Sequence, residues 1–322
     1  INFNAADTPS STPLGAHLGS SWTVRADSIH SHARFDLPSG SLTFAALQGD
    51  IVLDAGNVID VSGRNIAFGD LSKYSPAGTM TLSSNNGNIS LLQDASLNLQ
   101  GGGTLNVSAP AGQFDWQGDV NANAPEAVTQ GTLNANVNSF GDFSAFNHKV
   151  ADAGFSESLT LEQHSGDLTI TPLDTLKAHQ VSLAADNGGV LVHGIIDASG
   201  EKNGVVTLYG HDGMTMGEQG KIIATNGRVT LDTVHRDGVQ SGLLDLSQGG
   251  LIDVSGSAGG RVHLRTGRDD TQNTVNISAL NTQIKGVDTT GVMLEATRIY
   301  DNQSDINSEI IAAWQLDTAN FM

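Results

Sequence analysis

The clearest pattern in the chain is a short alternation of apolar and polar residues that recurs along most of its length. Each segment opens with glycine and carries apolar side chains at its third and fifth positions, as in the stretch from Gly227 to Leu231. A period of two predicts β-strands with one face inward and one outward. Turn-forming pairs such as Asn-Gly and Ser-Gly separate the segments. The segments are 40–44, 78–82, 87–91, 103–107, 166–170, 204–208, 227–231 and 260–264.

A second phrase repeats with the same side chains. Two apolar residues are followed by Asp, then Val or Ala, then Ser-Gly, at 58–63, 195–200 and 251–256. Short strands fit either an antiparallel sandwich or a solenoid. Stacked coils favour recurrence of the same residue type at equivalent positions, because these positions lie above one another. The sequence therefore predicts an all-β parallel β-helix (solenoid) of about a dozen coils with ~20–30 residues each.

The rhythm divides the chain into five parts. We predict an N-terminal irregular edge segment at 1–25, β-helix coils at 26–110, an aromatic-rich insertion or irregular coils at 111–158, β-helix coils at 159–300, and a C-terminal edge segment at 301–322. No segment longer than a dozen residues has a convincing 3.6-residue apolar stripe, so almost no helix is expected.

The insertion contains the candidate partner-binding residues. Aromatic residues make up only 5% of the chain, yet they concentrate here. We favour a local core that seals an irregular coil, and the alternative is a binding epitope. The candidate residues are Phe114, Trp116, Phe140, Phe143 and Phe146.

The composition of the chain argues against several classes of partner and site. The net charge is −19, from 15 basic and 34 acidic residues, which argues against nucleic acid or an anionic membrane as a partner. No apolar run approaches the ~20 residues of a membrane-spanning helix, so membrane insertion is not expected. Cysteine is absent, which excludes disulfides and thiolate-bound metals. The first residues do not form a signal peptide, and we expect an internal fragment of a longer protein.

With the Ile-Asp-Val-Ser-Gly phrase and the Gly-x-Val-x-Leu strands, the sequence resembles the filamentous haemagglutinin-like exoproteins of Gram-negative bacteria. The resemblance covers most of residues 40–300, and the segment from 141–147 through 166–170 also looks like the passenger region of that family. It implies a right-handed parallel β-helix and export through an outer-membrane barrel transporter of a two-partner secretion system. It also implies a secreted protein at the cell surface, acting in adhesion or as a stalk. The secretion motifs of the family's N-terminal domain are not found here.

Two groups of charged residues are candidates for chemistry. The aspartates of the repeated phrase, Asp60, Asp197 and Asp253, could form an acidic ladder, but an aspartate two residues before Ser-Gly more commonly caps a turn. A second group lies around residues 232–237 and could serve acid–base chemistry on a uronate. The turn Arg-Asp-Gly in that stretch favours a solvated loop instead. Its members are Asp232, His235, Arg236 and Asp237, with His211 and Asp212 one coil earlier.

The leading hypothesis is a structural or adhesive rod segment with no enzymatic activity. We expect no catalytic residues, no cofactor and no metal, because the histidines follow no metal-binding spacing and the repeat of calcium-binding β-rolls is absent. Expected partners are a host-cell or neighbouring-cell surface, or other segments of the same exoprotein. The alternatives are a polysaccharide-processing β-helix enzyme (lyase or hydrolase) and a trimeric fibre-type spike.

Overall fold

The computed structural model describes residues 1–4, 18–125, 128–234, 242–269, 274–298, 300 and 305–321. Within these residues the chain is all-β with mostly parallel sheets, and it contains two short helices. The all-β class predicted from the sequence is confirmed.

The first half of the chain runs from strand β1 through helix α1. Its elements are β1 (Asn2–Phe3), β2 (Ser21–Ala26), β3 (Ile29–Ser31), β4 (Arg34–Asp36), β5 (Ser41–Ala46), β6 (Ile51–Leu53), β7 (Val58–Asp60), β8 (Arg64–Phe68), β9 (Leu71–Ser75), β10 (Thr79–Ser84), β11 (Ile89–Leu91), β12 (Ser96–Asn98), β13 (Thr104–Trp116), β14 (Asp119–Asn121), β15 (Gly131–Ser139) and α1 (Phe143–Ala153).

The second half continues to helix α2. Its elements are β16 (Phe155–Gln163), β17 (Leu168–Ile170), β18 (Thr175–Lys177), β19 (Gln180–Ala185), β20 (Gly189–Val192), β21 (Ile195–Asp197), β22 (Val205–Gly210), β23 (Gly213–Met216), β24 (Lys221–Ile223), β25 (Arg228–Asp232), β26 (Leu243–Asp245), β27 (Leu251–Asp253), β28 (Gly260–Asp269), β29 (Thr274–Val275), β30 (Gln283–Lys285), β31 (Val287–Thr297) and α2 (Ser308–Phe321).

One large sheet is continuous along the described part of the chain. Its strands pair in parallel in the order β2-β5-β10-β13-β15-β16-β19-β22-β25-β28-β31. The register keeps equivalent residues opposite one another: Leu159 lies beside Val181, and Val181 beside Val206. Each strand of this sheet is therefore separated from the next by a pass of the chain through other sheets, except between β15 and β16, where the chain forms helix α1.

The strands that lie in sequence between those of the large sheet form smaller parallel sheets. Before α1, β1-β3-β6-β11 continues onto the second half of β13, and β4-β7-β12-β14 forms a separate sheet. After α1, two new sheets begin, with the orders β17-β20-β23-β26 and β18-β21-β24-β27-β30. Two antiparallel pairs, β8–β9 and β28–β29, stand apart from this arrangement.

The core lies on the inward face of the strands. The apolar–polar alternation predicts ten inward residues, eight in the recurring segments and two in the similar short stretch at 51–53; all ten are at most 3% exposed, which confirms the assignment of the two faces. They are Leu42, Phe44, Ile51, Leu53, Val206, Leu208, Val229, Leu231, Val262 and Leu264.

The glycine that opens the recurring strands has a steric role. A Cβ atom at Gly227 would lie 1.8 Å from the carbonyl oxygen of Gly204, and one at Gly78 would lie 1.7 Å from that of Gly40. Both distances are far below contact, so a side chain at either position would force neighbouring strands apart. The repeated glycine therefore marks a close approach of one backbone to the next.

Helix α1 departs from the expectation of almost no helix. Asp142 accepts a hydrogen bond from the Ala145 amide at the N-terminus, and Gly154 closes the C-terminus with φ 82°. The buried residues recur at helical spacing: Phe143, Phe146, Asn147, Val150 and Ala153. At 11 residues, α1 is shorter than a dozen residues, the length above which the sequence has no convincing apolar stripe of helical period.

The aromatic-rich stretch at 111–158 contains paired strands as well as α1. There, β13 pairs with β11 as far as Trp116, and β15 pairs with β13 and β16 with one register shift in each pair. The departure from strands is α1, which lies where the two smaller sheets before it end and the two after it begin. In the predicted N-terminal edge segment, β1 and β2 are paired strands, and residues 5–17 lie outside the described part.

Candidate functional site

The five candidate partner-binding aromatics lie together around α1. Their exposed fractions are 4% for Phe114, 8% for Trp116, 7% for Phe140, 6% for Phe143 and 5% for Phe146. The ring centroids of Phe140 and Phe146 are 4.5 Å apart, and those of Trp116 and Phe146 are 5.8 Å apart. Such burial agrees with the local-core interpretation. Whether the surface above the rings binds a partner stays a prediction.

A cleft of about 460 Å³ runs beside this cluster. Its mouth is polar, with Asn88, Gln113, Asp115, Asp142 and Lys149 on its walls. Lys149 donates a hydrogen bond to the Gln117 carbonyl oxygen at 3.0 Å, which holds α1 to the end of β13. Four of the aromatic residues also line the cleft, although each is at most 8% exposed: Phe114, Trp116, Phe140 and Phe146.

The aspartates of the repeated phrase cap turns, as predicted. The backbone amide two residues later donates to each carboxylate at 2.9 Å: Ser62 to Asp60, Ser199 to Asp197, and Ser255 to Asp253. Burial pushes the pKa of Asp60 upward, but the hydrogen bonds from Ser62 and Arg64 outweigh it and leave that pKa below its ordinary value. Asp197 and Asp253 are separated by β24 in their sheet, so they do not form a continuous acidic ladder.

The group around residue 232 is only partly described, since His235, Arg236 and Asp237 lie outside the described residues. Asp232 is paired with Arg265, with 2.5 Å between Oδ2 and Nη1. Arg265 also donates from Nε to Glu295 at 3.1 Å, and Nε2 of His263 lies 2.9 Å from the same carboxylate.

This network affects the charge state of its carboxylates. Burial raises the pKa of Glu295, but Arg265 and His263 lower it more strongly, so the net pKa is below the ordinary value. In a general acid the pKa is raised instead. The other residues predicted with this group, His211 and Asp212, pair with each other at 2.7 Å.

A further cluster lies on the outward face of the same sheet and was missed by sequence reasoning. Asn136 on β15 stands beside Glu162 on β16, His164 follows Glu162 by two residues, and Asp186 follows β19. Nδ1 of His164 lies 2.6 Å from Asp186 and Nε2 lies 2.9 Å from Asn136 Oδ1. Asn136 donates to Glu162 at 2.7 Å. The sequence Glu-Gln-His on a strand, which puts two potential ligands on one face, is the signal that could have found it.

Comparisons with protein-family models, curated proteins and solved structures gave no match. Among the described residues, no helix is both long enough and apolar enough to span a bilayer.

Proposed function

We propose that the chain is a segment of a right-handed parallel β-helix rod from a large secreted bacterial surface protein. The observation that carries the proposal is the parallel pairing of the large sheet, which keeps equivalent residues opposite one another apart from local register shifts in the β13–β15, β15–β16 and β28–β31 pairs. For example, the inward residue Leu183 lies between two other inward leucines: Leu161 on the preceding pass of the chain and Leu208 on the next pass. A right-handed path is expected because parallel crossovers almost always have that hand.

The proposed role is presentation, either as an adhesive surface or as a stalk, and not catalysis. The outward positions of the large sheet mostly carry small polar side chains, and several bond to their neighbours: Asn134 donates to Asn106 at 2.9 Å, and Asn106 to Thr81 at 3.2 Å. Such ladders give a flat hydrated face. The carboxylate considered for catalysis, Asp232, is already neutralised by Arg265.

The resemblance to filamentous haemagglutinin-like exoproteins supports the secreted location and the export route through an outer-membrane barrel transporter. A chain without cysteine also suits passage through a pore in an unfolded state. The partner in this proposal is a host-cell or neighbouring-cell surface, or another segment of the same exoprotein.

Two measurements on the purified chain test the proposal. Small-angle scattering should report an elongated particle, because the eleven parallel strands of the large sheet span about 50 Å at ~4.8 Å per strand. Beads coated with the chain should adhere to cultured epithelial cells more than beads coated with albumin if the segment is adhesive. An elongated particle without adhesion supports the stalk role. A globular particle would refute the rod, and turnover of a polysaccharide would refute presentation as the function.

A further inference from the structure

When the His164 imidazole is neutral, the row of side chains Glu162, Asn136, His164 and Asp186 has one N–H hydrogen fewer than it has close contacts. The row contains three close contacts, at 2.7, 2.9 and 2.6 Å. The two carboxylates only accept hydrogen bonds, the amide has its donor on one side and its acceptor on the other, and a neutral imidazole carries one N–H. Two hydrogens must therefore serve three contacts. Turning the amide of Asn136 over moves the deficit to Glu162 without removing it.

Asp186 determines where the unsatisfied contact falls. Its oxygen lies 2.6 Å from Nδ1 of His164, so Nδ1 carries the hydrogen and donates it. The lone pair of Nε2 then points at Asn136 Oδ1, and two acceptors face each other at 2.9 Å. A carboxylate that fixes one imidazole nitrogen so that the other can bind a metal is the usual second shell of a histidine ligand.

The separation of these two acceptors is close to that needed for a shared cation. Two ligands of a tetrahedral ion with ligand distances of ~2.1 Å lie about 3.4 Å apart, so side-chain rotations that open the 2.9 Å contact by about 0.5 Å would admit the ion. Glu162, His164 and Asp186 each offer a ligand atom, and these atoms lie within 4.8 Å of one another. Side chains of His164 and Asp186 are 26% and 34% exposed, so an ion can reach them from solvent.

We propose that Asn136, Glu162 and His164 bind a divalent transition-metal ion, with Zn²⁺ as the best match, and that Asp186 orients the imidazole. Imidazole together with carboxylate oxygen favours Zn²⁺ and its neighbours over Ca²⁺ or Mg²⁺, which prefer ligand sets made of oxygen alone. Water fills the remaining positions of such an open site.

The position of the site indicates that the ion would have a structural role. Asn136 belongs to β15, and Glu162 and His164 belong to β16 or directly follow it. Of the sheets that the described residues form, only the large one continues past α1 from β15 to β16. A bound ion would therefore link the two strands at the level where the other sheets are interrupted.

The test is equilibrium dialysis of the untagged full chain against Zn²⁺ at one fixed pH, with folding of each variant checked by circular dichroism. The parent should bind one ion saturably at this site. Glu162→Gln and His164→Ala should each weaken binding at least tenfold, and Asp186→Asn should weaken it about 10- to 100-fold. If His164→Ala does not fold, the isosteric Glu162→Gln decides.

The matched control is His263→Ala. His263 also faces outward from the large sheet, is 21% exposed and lies 2.9 Å from a carboxylate, but its neighbour is Arg265 and not a further ligand. This variant should bind Zn²⁺ like the parent. Absence of saturable binding by the parent, which is expected if a proton completes the row, would overturn the proposal. So would parental affinity in His164→Ala, or displacement of Zn²⁺ by an equal concentration of Ca²⁺.

Discussion

Replacing Phe146 with alanine tests whether the aromatic cluster is a core. Phe146 is 5% exposed, and its ring centroid lies 4.5 Å from that of Phe140 and 5.8 Å from that of Trp116. Phe143 and Phe114 complete its surroundings at 6.2 and 6.5 Å. Truncating a buried phenylalanine costs about 3–5 kcal/mol, and the cost is larger where the neighbours cannot collapse into the cavity. Because four rings surround this one, we expect a loss near the upper end of that range.

The assay is urea denaturation followed by circular dichroism and by tryptophan fluorescence, since Trp116 contacts the altered site. Leu173→Ala is the control, because that side chain is 93% exposed and its removal should change the free energy of unfolding by less than about 0.5 kcal/mol. A loss below about 1 kcal/mol for Phe146→Ala would refute the core interpretation. Unchanged stability together with reduced adhesion of coated beads would assign the cluster to partner binding instead.

Three further predictions concern the fold and its chemistry. Leu231→Asp places an unpaired charge among inward side chains and should lower the free energy of unfolding by several kcal/mol. The control, Thr230→Asp on the outward face, should be tolerated, and similar melting of both variants would refute the assignment of the faces. The chain should release no unsaturated uronate from pectate or alginate, with or without calcium, and activity lost on Asp232→Ala would overturn that expectation. Because the folded-state pKa of Asp60 lies below its ordinary value of 3.8, its stabilisation is present above about pH 4 and is lost as the pH falls through the folded-state pKa. The difference in melting temperature between the parent and Asp60→Asn should therefore shrink between pH 5 and pH 2, and a constant difference would contradict the linkage.

The faces of the strands were predictable because burial in most of them follows a period of two. Val229 and Leu231 are inward and Thr230 is outward because successive side chains of a strand point to opposite faces of the sheet. The same alternation assigns the faces of the other recurring strands. The turn role of Asp60 was predictable as well, since it depends on residues only two positions away. Local chemistry and short periods are thus recoverable from the sequence alone.

Helix α1 and the row of side chains Glu162, Asn136, His164 and Asp186 were not predicted, for two different reasons. The helix has a weak apolar stripe in which Asn147 takes a buried position and donates to the Thr175 carbonyl oxygen, so its pattern is visible only with its caps, Asp142 and Gly154. The row of polar side chains depends on how successive strands of the large sheet align, and the stretches of chain between these strands differ in length. Asn136 meets Glu162 across 26 residues, whereas His164 meets Asp186 across 22, and no fixed period aligns both.

The interruption at α1 has a mechanical consequence. Elsewhere a tensile load along the stacking direction would be shared among the backbone hydrogen bonds of several sheets. Between β15 and β16, the described residues place the load on the large sheet, on the backbone hydrogen bond from the Ala122 amide to the Ala153 carbonyl oxygen, and on side-chain links from the helix, such as Ser144 to Asp174 at 2.7 Å. Among the described residues, fewer parallel backbone ladders therefore cross this level than cross the levels on either side. Under tension, we expect this level of the chain to be the most compliant and the first to rupture.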